Sequence, residues 1–152
     1  MNPDRNHERI VWVHGDCLRP GNPALRARPD APAIFCWDDE LLREWKISFK
    51  RVLFIYECLL ELPVTIRRGD VAGEVAAFAD EHGATGVVTT FSPSPRFGLI
   101  TSEIEKSYPV EVLPEDPFLD YPGEFDLRRF SRFWRQAESY AYRGGGEQLK
   151  LW

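Results

Sequence analysis

The chain has 152 residues, 43% of them apolar and 28% charged, with a net charge of −5. That length supports one domain with a real core and hardly two, and the acidic balance argues against independent binding to a DNA backbone. Three cysteines, at 17, 36 and 58, argue against a disulfide framework or a zinc site, and no apolar run reaches the roughly 20 residues that span a bilayer. The polar N-terminus MNPDRNHER shows no secretory signal, so a cytoplasmic protein with reduced thiols is expected. Aromatics reach 13%. Core packing accounts for most of them in any fold, and a chromophore pocket or a partner surface is the alternative.

In chain order, residues 10–13 (IVWV) read as a first strand. The polar turn HGDCLRPGNPAL follows, ending in a short helix-like segment. Residues 33–37 (AIFCW) are a second strand. Residues 48–62 carry Phe49, Val52, Leu53, Tyr56, Leu59 and Leu60 at helical spacing, a stripe expected to face the core. Residues 64–67 form a third strand. Asp70 suits a helix N-cap, residues 71–82 the helix, and Gly83 its end. A fourth strand (86–91), a helix (95–106) and a fifth strand (109–113) complete the pattern.

Strand–helix alternation of this kind predicts a Rossmann-like three-layer α/β sandwich on a five-stranded parallel sheet, with ligands beyond the carboxyl ends of the strands. Residues 1–113 form that domain. Residues 114–125 (PEDPFLDYPGEF) contain three prolines and read as an extended connector. In residues 126–152 an amphipathic helix spans 126–142, with Asp126 as its N-cap, followed by a glycine-rich end and tail. Phe130, Phe133 and Trp134 share one side of it, framed by arginines. Docking on its own domain and binding another chain are the two readings of that aromatic face.

These landmarks resemble the N-terminal α/β domain of the photolyase/cryptochrome family. The family opening W-x-R-R-D-L-R-x-x-D-N-x-A-L is matched without a gap at Trp12, Asp16, Asn22, Ala24 and Leu25. FCWDDELL resembles the family's F-x-x-D-x-x-L-L, and FKRVLFIYECLLEL its following helix. IRRGD is similar to the strand-turn of that family, VVTTFSPSPR to V-V-T-D-F-S-P-L-R of class II photolyases, and FDLRRFSRFWRQA to the segment that opens the linker. The resemblance covers residues 10 to about 137. It ends before the family's helical domain, which binds FAD and the damaged base pair, so no FAD site of that type and no catalysis are expected here.

The resemblance implies a site for an antenna chromophore (a deazaflavin, a folate or a flavin). The matching positions are His14, Gly15 and Asp16, then Cys36, Trp37 and Asp38, then Arg51, Ser92 and Ser94. Trp37 would stack on a flat ring, and Arg51 would meet an anionic tail, unless it pairs with Glu57 or Asp38. The family's first-loop Arg-Arg is His14-Gly15 here. Asp16 and Asn22 are expected to hold the loop by hydrogen bonds to its backbone. The implied function is a stand-alone antenna or accessory subunit, working with a separate FAD-binding helical protein in light-dependent DNA repair or light sensing.

Other chemistries are weaker. Arg67-Arg68 beside Asp70 suggests either a phosphate site or a charged strand end. His14 and Asp16 suggest a hydrolytic pair, but no nucleophile elbow accompanies them. A nucleotide-binding regulatory domain is the alternative class. The stretch TTFSPSPRFG has too few free backbone N–H groups for a phosphate cradle, although Ser92, Ser94 and Arg96 leave room for a small anion.

Overall fold

A computed structural model describes residues 8–44 and 46–141. The strands are short, and the three central ones are predominantly apolar and buried, as a sheet covered on both faces requires, while the edge strands carry charged residues. The strands are β1 (Ile10–Val13), β2 (Ala33–Asp38), β3 (Thr65–Gly69), β4 (Val87–Thr90) and β5 (Val110–Leu113). All pair in parallel, in the order β3-β2-β1-β4-β5. The expected Rossmann-like α/β sandwich is therefore the observed fold. β1 and β4 are neighbours, yet their crossovers leave in opposite directions, so their carboxyl ends define the topological switch point.

Alternation along the strands builds two cores. Ile10, Trp12, Ile34, Cys36 and Val87 point to one face, where they meet α4 (Val71–Glu81) and α5 (Pro95–Ile104). Val11, Val13, Ala33, Phe35 and Val88 point to the other, where they meet α1 (Pro23–Ala27) and the end of α3 (Phe49–Leu60). Helix ends follow their sequence signals. The Asp70 carboxylate accepts the Gly73 N–H at 2.8 Å, Ser48 accepts that of Arg51, and Gly83 turns out of α4 at φ 60°, where a side chain would be strained.

Three expectations change. First, the segment DDELLRE after β2 is a helix, α2 (Asp39–Glu44), capped by Asp38, whose carboxylate accepts the Glu40 and Leu41 N–H groups. Second, the stripe foreseen on α3 is not the one that is buried. Leu59 alone of the helix is fully covered, Val52 and Ile55 are half-buried, and Phe49, Leu53, Tyr56 and Leu60 face outward. The helix carries two apolar stripes, and only the sheet decides which one turns inward. Third, the last helix, α6 (Phe130–Ala141), begins at Phe130 and not at 126, and residue 142 lies outside the described residues. Asp126 is not its cap: it accepts the Arg128 N–H in a turn and pairs with Arg132 at 3.1 Å. The tail expected after residue 141 lies outside the described residues.

The chain divides into two compact units, Met1–Glu115 and Asp116–Trp152. The boundary falls inside the stretch read as a connector. Among the described residues no helix is long and apolar enough to cross a membrane.

Candidate functional site

The loop after β1 is held from below by one buried amide. Asn22 is fully buried; its side-chain oxygen accepts the Ala24 and Leu25 N–H groups at 2.8 and 3.2 Å, and its NH₂ donates to the Cys17 carbonyl at 2.9 Å. The Thr90 hydroxyl at the end of β4 donates to the same oxygen at 2.9 Å and accepts from Ala24 N–H. One side chain thus caps α1, fixes the loop and ties it to the neighbouring strand. Asp16 acts differently from expectation: its carboxylate accepts the Ser92 hydroxyl at 2.5 Å, linking two loops through side chains.

His14 is held at both nitrogens. Nε2 donates to the Thr90 carbonyl at 2.6 Å, and Nδ1 accepts the Asp16 N–H at 3.3 Å. Its ring stands edge-on to Trp12 and Phe97, which stack on each other at 5.6 Å and 9°. Neither nitrogen is available as a base, which removes the hydrolytic pair. Gly15 is not dictated by crowding, since a Cβ there would meet nothing within 4 Å.

Above these residues lies a cavity of about 410 Å³, within the size range of small-ligand sites. It opens at the carboxyl ends of β1 and β2. Its flat walls are Trp12, Trp37 and Phe97; Leu41, Ile47 and Ile55 supply the apolar side toward α2 and α3. Eight of the nine positions expected at the site line it: His14, Gly15, Asp16, Cys36, Trp37, Asp38, Arg51 and Ser94. Ser92 does not. It is buried behind the loop, where its hydroxyl is committed to Asp16 and accepts the Ser94 N–H.

Charge is distributed unevenly around the cavity. Arg96, in the first turn of α5, donates from Nε to Asp38 at 2.8 Å and from Nη2 to Asp38 and Glu40. Burial works against the Arg96 charge, but the two carboxylates outweigh it and raise its pKa. The small-anion reading of Arg96 therefore fails, because two carboxylates already hold it. Arg51 and Lys46 also line the cavity, and neither makes an ion pair among the described residues. Asp38 is taken by Arg96, and among the described residues the alternative pairing of Arg51 with Asp38 or Glu57 does not form. Lys46 sits at φ 42°, a left-handed backbone that costs a non-glycine residue about 1 kcal/mol.

Sequence reasoning missed Arg96 and Phe97 as wall residues, and the α2 side altogether. The signal for the first two was their place just after β4, at the switch point; for the third it was the Asp38 cap.

Two of the thiols, Cys36 and Cys17, are held toward the protonated form. Burial, aided by the nearby Glu74 and Asp38 carboxylates, pushes Cys36 up to about 12. Burial and the Glu115 carboxylate, to which the thiol donates at 3.0 Å, push Cys17 up to about 11. The phosphate reading of Arg67-Arg68 also fails. Arg67 pairs with Glu81 and Glu74 and lies over the Phe78 ring, and Arg68 pairs with Asp39. Among the described residues no group of three or more His, Cys, Asp and Glu is placed to hold a metal.

In the second unit, the aromatics of α6 join a ring cluster. Phe130 stacks on Trp134 at 6.0 Å, Phe133 meets Phe125 edge-on at 5.1 Å, and Phe125 stacks on Tyr121. Phe133 and Trp134 are half-buried and Phe130 is exposed.

No family model matches the chain, and no curated protein matches it in sequence.

Proposed function

We propose that the first unit is a photolyase-type N-terminal domain that holds a flat antenna chromophore in the cavity at the ends of β1 and β2. In this reading it is not catalytic alone, works in the cytoplasm and acts with an FAD-binding helical partner in light-dependent DNA repair or light sensing. The supporting observation is the cavity itself: its volume of about 410 Å³ and its indole and phenyl walls. Trp37 and the Trp12–Phe97 stack would face the ring system, while Arg51 and Lys46 would hold an anionic tail. Bound there, a deazaflavin, folate or flavin would absorb light and pass on its excitation, which asks of the protein burial and orientation and no proton transfer. Phe130, Phe133 and Trp134 are the proposed contacts for the partner.

A second reading is a nucleotide-binding regulatory domain. It is favoured by the two cations at the mouth, which leave charge for a phosphate. One experiment separates them. The purified chain is examined by absorption spectroscopy, by mass spectrometry of anything released on denaturation, and by thermal shift with flavins, folates and nucleotides. A bound pigment, or stabilisation by a flavin or folate that is lost in Trp37→Ala, supports the antenna. A colourless protein stabilised by ATP alone overturns it in favour of the second reading.

A further inference from the structure

We propose that the outward face of α3 pairs with the same face of a second copy of this chain, antiparallel, about a two-fold axis passing between Phe54 and Ile55. Four large apolar residues form that face: Phe49 is 79% exposed, Leu53 45%, Tyr56 46% and Leu60 65%. Their spacing of 4, 3 and 4 residues is the a/d repeat of a helix-pairing seam. It lies well round the helix from the Val52, Ile55 and Leu59 stripe that faces the sheet, so the same helix can serve both contacts. Around the axis, Phe49 of one copy meets Leu60 of the other, and Leu53 meets Tyr56.

Charge selects the antiparallel copy as occupant. Lys50 and Arg51 stand in the first turn of α3, while Glu57 and the C-cap Glu61 stand at its last turn. That order opposes the helix macrodipole, which favours acids at the N-terminus and bases at the C-terminus. An antiparallel neighbour reverses the arrangement, because it brings Glu57 of the second copy beside Lys50 of the first, and the reverse. Lys50 and Glu57 flank the seam on one side, at the positions that choose partners in paired helices. A parallel copy would set this flank against the opposite one, with Glu57 beside Val52, and leave Lys50 and Glu57 without each other. The face is thus self-complementary in the sense that a two-fold interface requires.

Size sets the affinity. With about 150–250 Å² for a whole aromatic side chain, the seam offers on the order of 500 Å² per copy. A pair then buries roughly 1,000 Å², the lower bound of specific interfaces. The dimer is therefore reversible and concentration-dependent.

Sedimentation velocity of the full chain over two decades of concentration tests this. The expected result is a monomer–dimer equilibrium that Leu53→Asp weakens by about tenfold or more, as a charge placed in an a/d seam does. Because a seam substitution also touches the helix, the charge variants supply a second measurement. K50E and E57K each weaken the dimer, K50E/E57K restores it, and a mixture of the two single variants forms mixed dimers more tightly than either alone. A chain that stays monomeric throughout overturns the proposal, the face then serving another protein. So does a dimer indifferent to Leu53→Asp, or a double variant as weak as the singles. None of these outcomes depends on whether the cavity takes a chromophore.

Discussion

α3 and α4 are nearly equal in length, lie on opposite faces of one sheet and are both rich in apolar residues, yet they use them in opposite ways. α4 buries Val71, Ala72, Val75, Phe78 and Ala79 against the strands. α3 buries Leu59 and turns Phe49, Leu53, Phe54, Tyr56 and Leu60 outward. One helix is a structural member of the core. The other is attached along its inner stripe and leaves a second apolar stripe for other contacts. The difference also shapes the site: the α4–α5 side contributes the close-packed Trp12–Phe97 wall, and the α2–α3 side contributes Arg51 and Lys46, which make no ion pair among the described residues.

The largest expected effect lies on α4. Phe78 is 2% exposed, packed in the core beneath the Arg67 guanidinium. Phe78→Ala should cost about 3–5 kcal/mol of unfolding free energy, through lost burial and the cavity left behind. Urea denaturation measures it. A loss under about 1 kcal/mol would mean that α4 is no more integral than α3, and the comparison would break.

The face that α3 leaves thinly covered is pinned instead by polar contacts at α1. Asn22→Ala removes an N-cap, a bond to the Cys17 carbonyl and the partner of the Thr90 hydroxyl at one stroke. The expected loss is about 2–3 kcal/mol, the sum of a cap and a buried group left unpaired. Asn22→Asp sharpens the result. It keeps the cap oxygens and loses the NH₂ donor, so it should fall between the wild type and alanine in the same denaturation series.

Much of this was legible in the residues. Strands in a doubly covered sheet are apolar runs, and five of them could be read in order to within two residues. Positions beyond the strand ends followed from the topology together with the family resemblance, and His14, Trp37 and Asp38 accordingly line the cavity. What escaped depended on direction. The α3 stripe was misread because periodicity shows that a helix has an apolar side, but with two such sides only the sheet selects. α2 escaped because Asp39–Glu44 buries no residue fully, and so lacks the one-sided burial that marks a helix. Ser92 does not line the cavity because its hydroxyl is bound to the Asp16 carboxylate behind the loop. Arg96 read as a free cation because its carboxylate partners lie 58 and 56 residues away in the chain.

A smaller effect distinguishes the dry α4 side by pH. Cys36 packs among Val71, Ala72 and Ile34, and burial raises its pKa from 9.0 to about 12; Cys17 rises to about 11. In both, the folded state holds the proton more tightly than the unfolded chain. Stability from this source is complete below pH 9 and falls as pH climbs toward 11 and 12. By pH 10 each thiol should account for about 1 kcal/mol of lost stability. Cys36→Ala removes one share, so the stability difference between pH 8 and pH 10 should shrink in the variant. An equal difference in variant and wild type would show that Cys36 is not held in an apolar surround.

The smallest expected effect closes the comparison, because it is the same chemical change made on the other helix. Phe54 lies mid-helix in α3 and is mostly exposed. Phe54→Ala removes little buried area and gains helix propensity, so the two terms nearly offset, and unfolding free energy should move by no more than about 0.5 kcal/mol in either direction. The measurement belongs at a dilution where the chain is monomeric, since any second copy on α3 would add its own contribution to apparent stability. Against Phe78→Ala, the gap between two identical phenyl deletions reads out how differently the sheet engages its two covering helices. A loss at Phe54 of more than about 1.5 kcal/mol would place that ring in the core and remove α3's outward face as a separate surface.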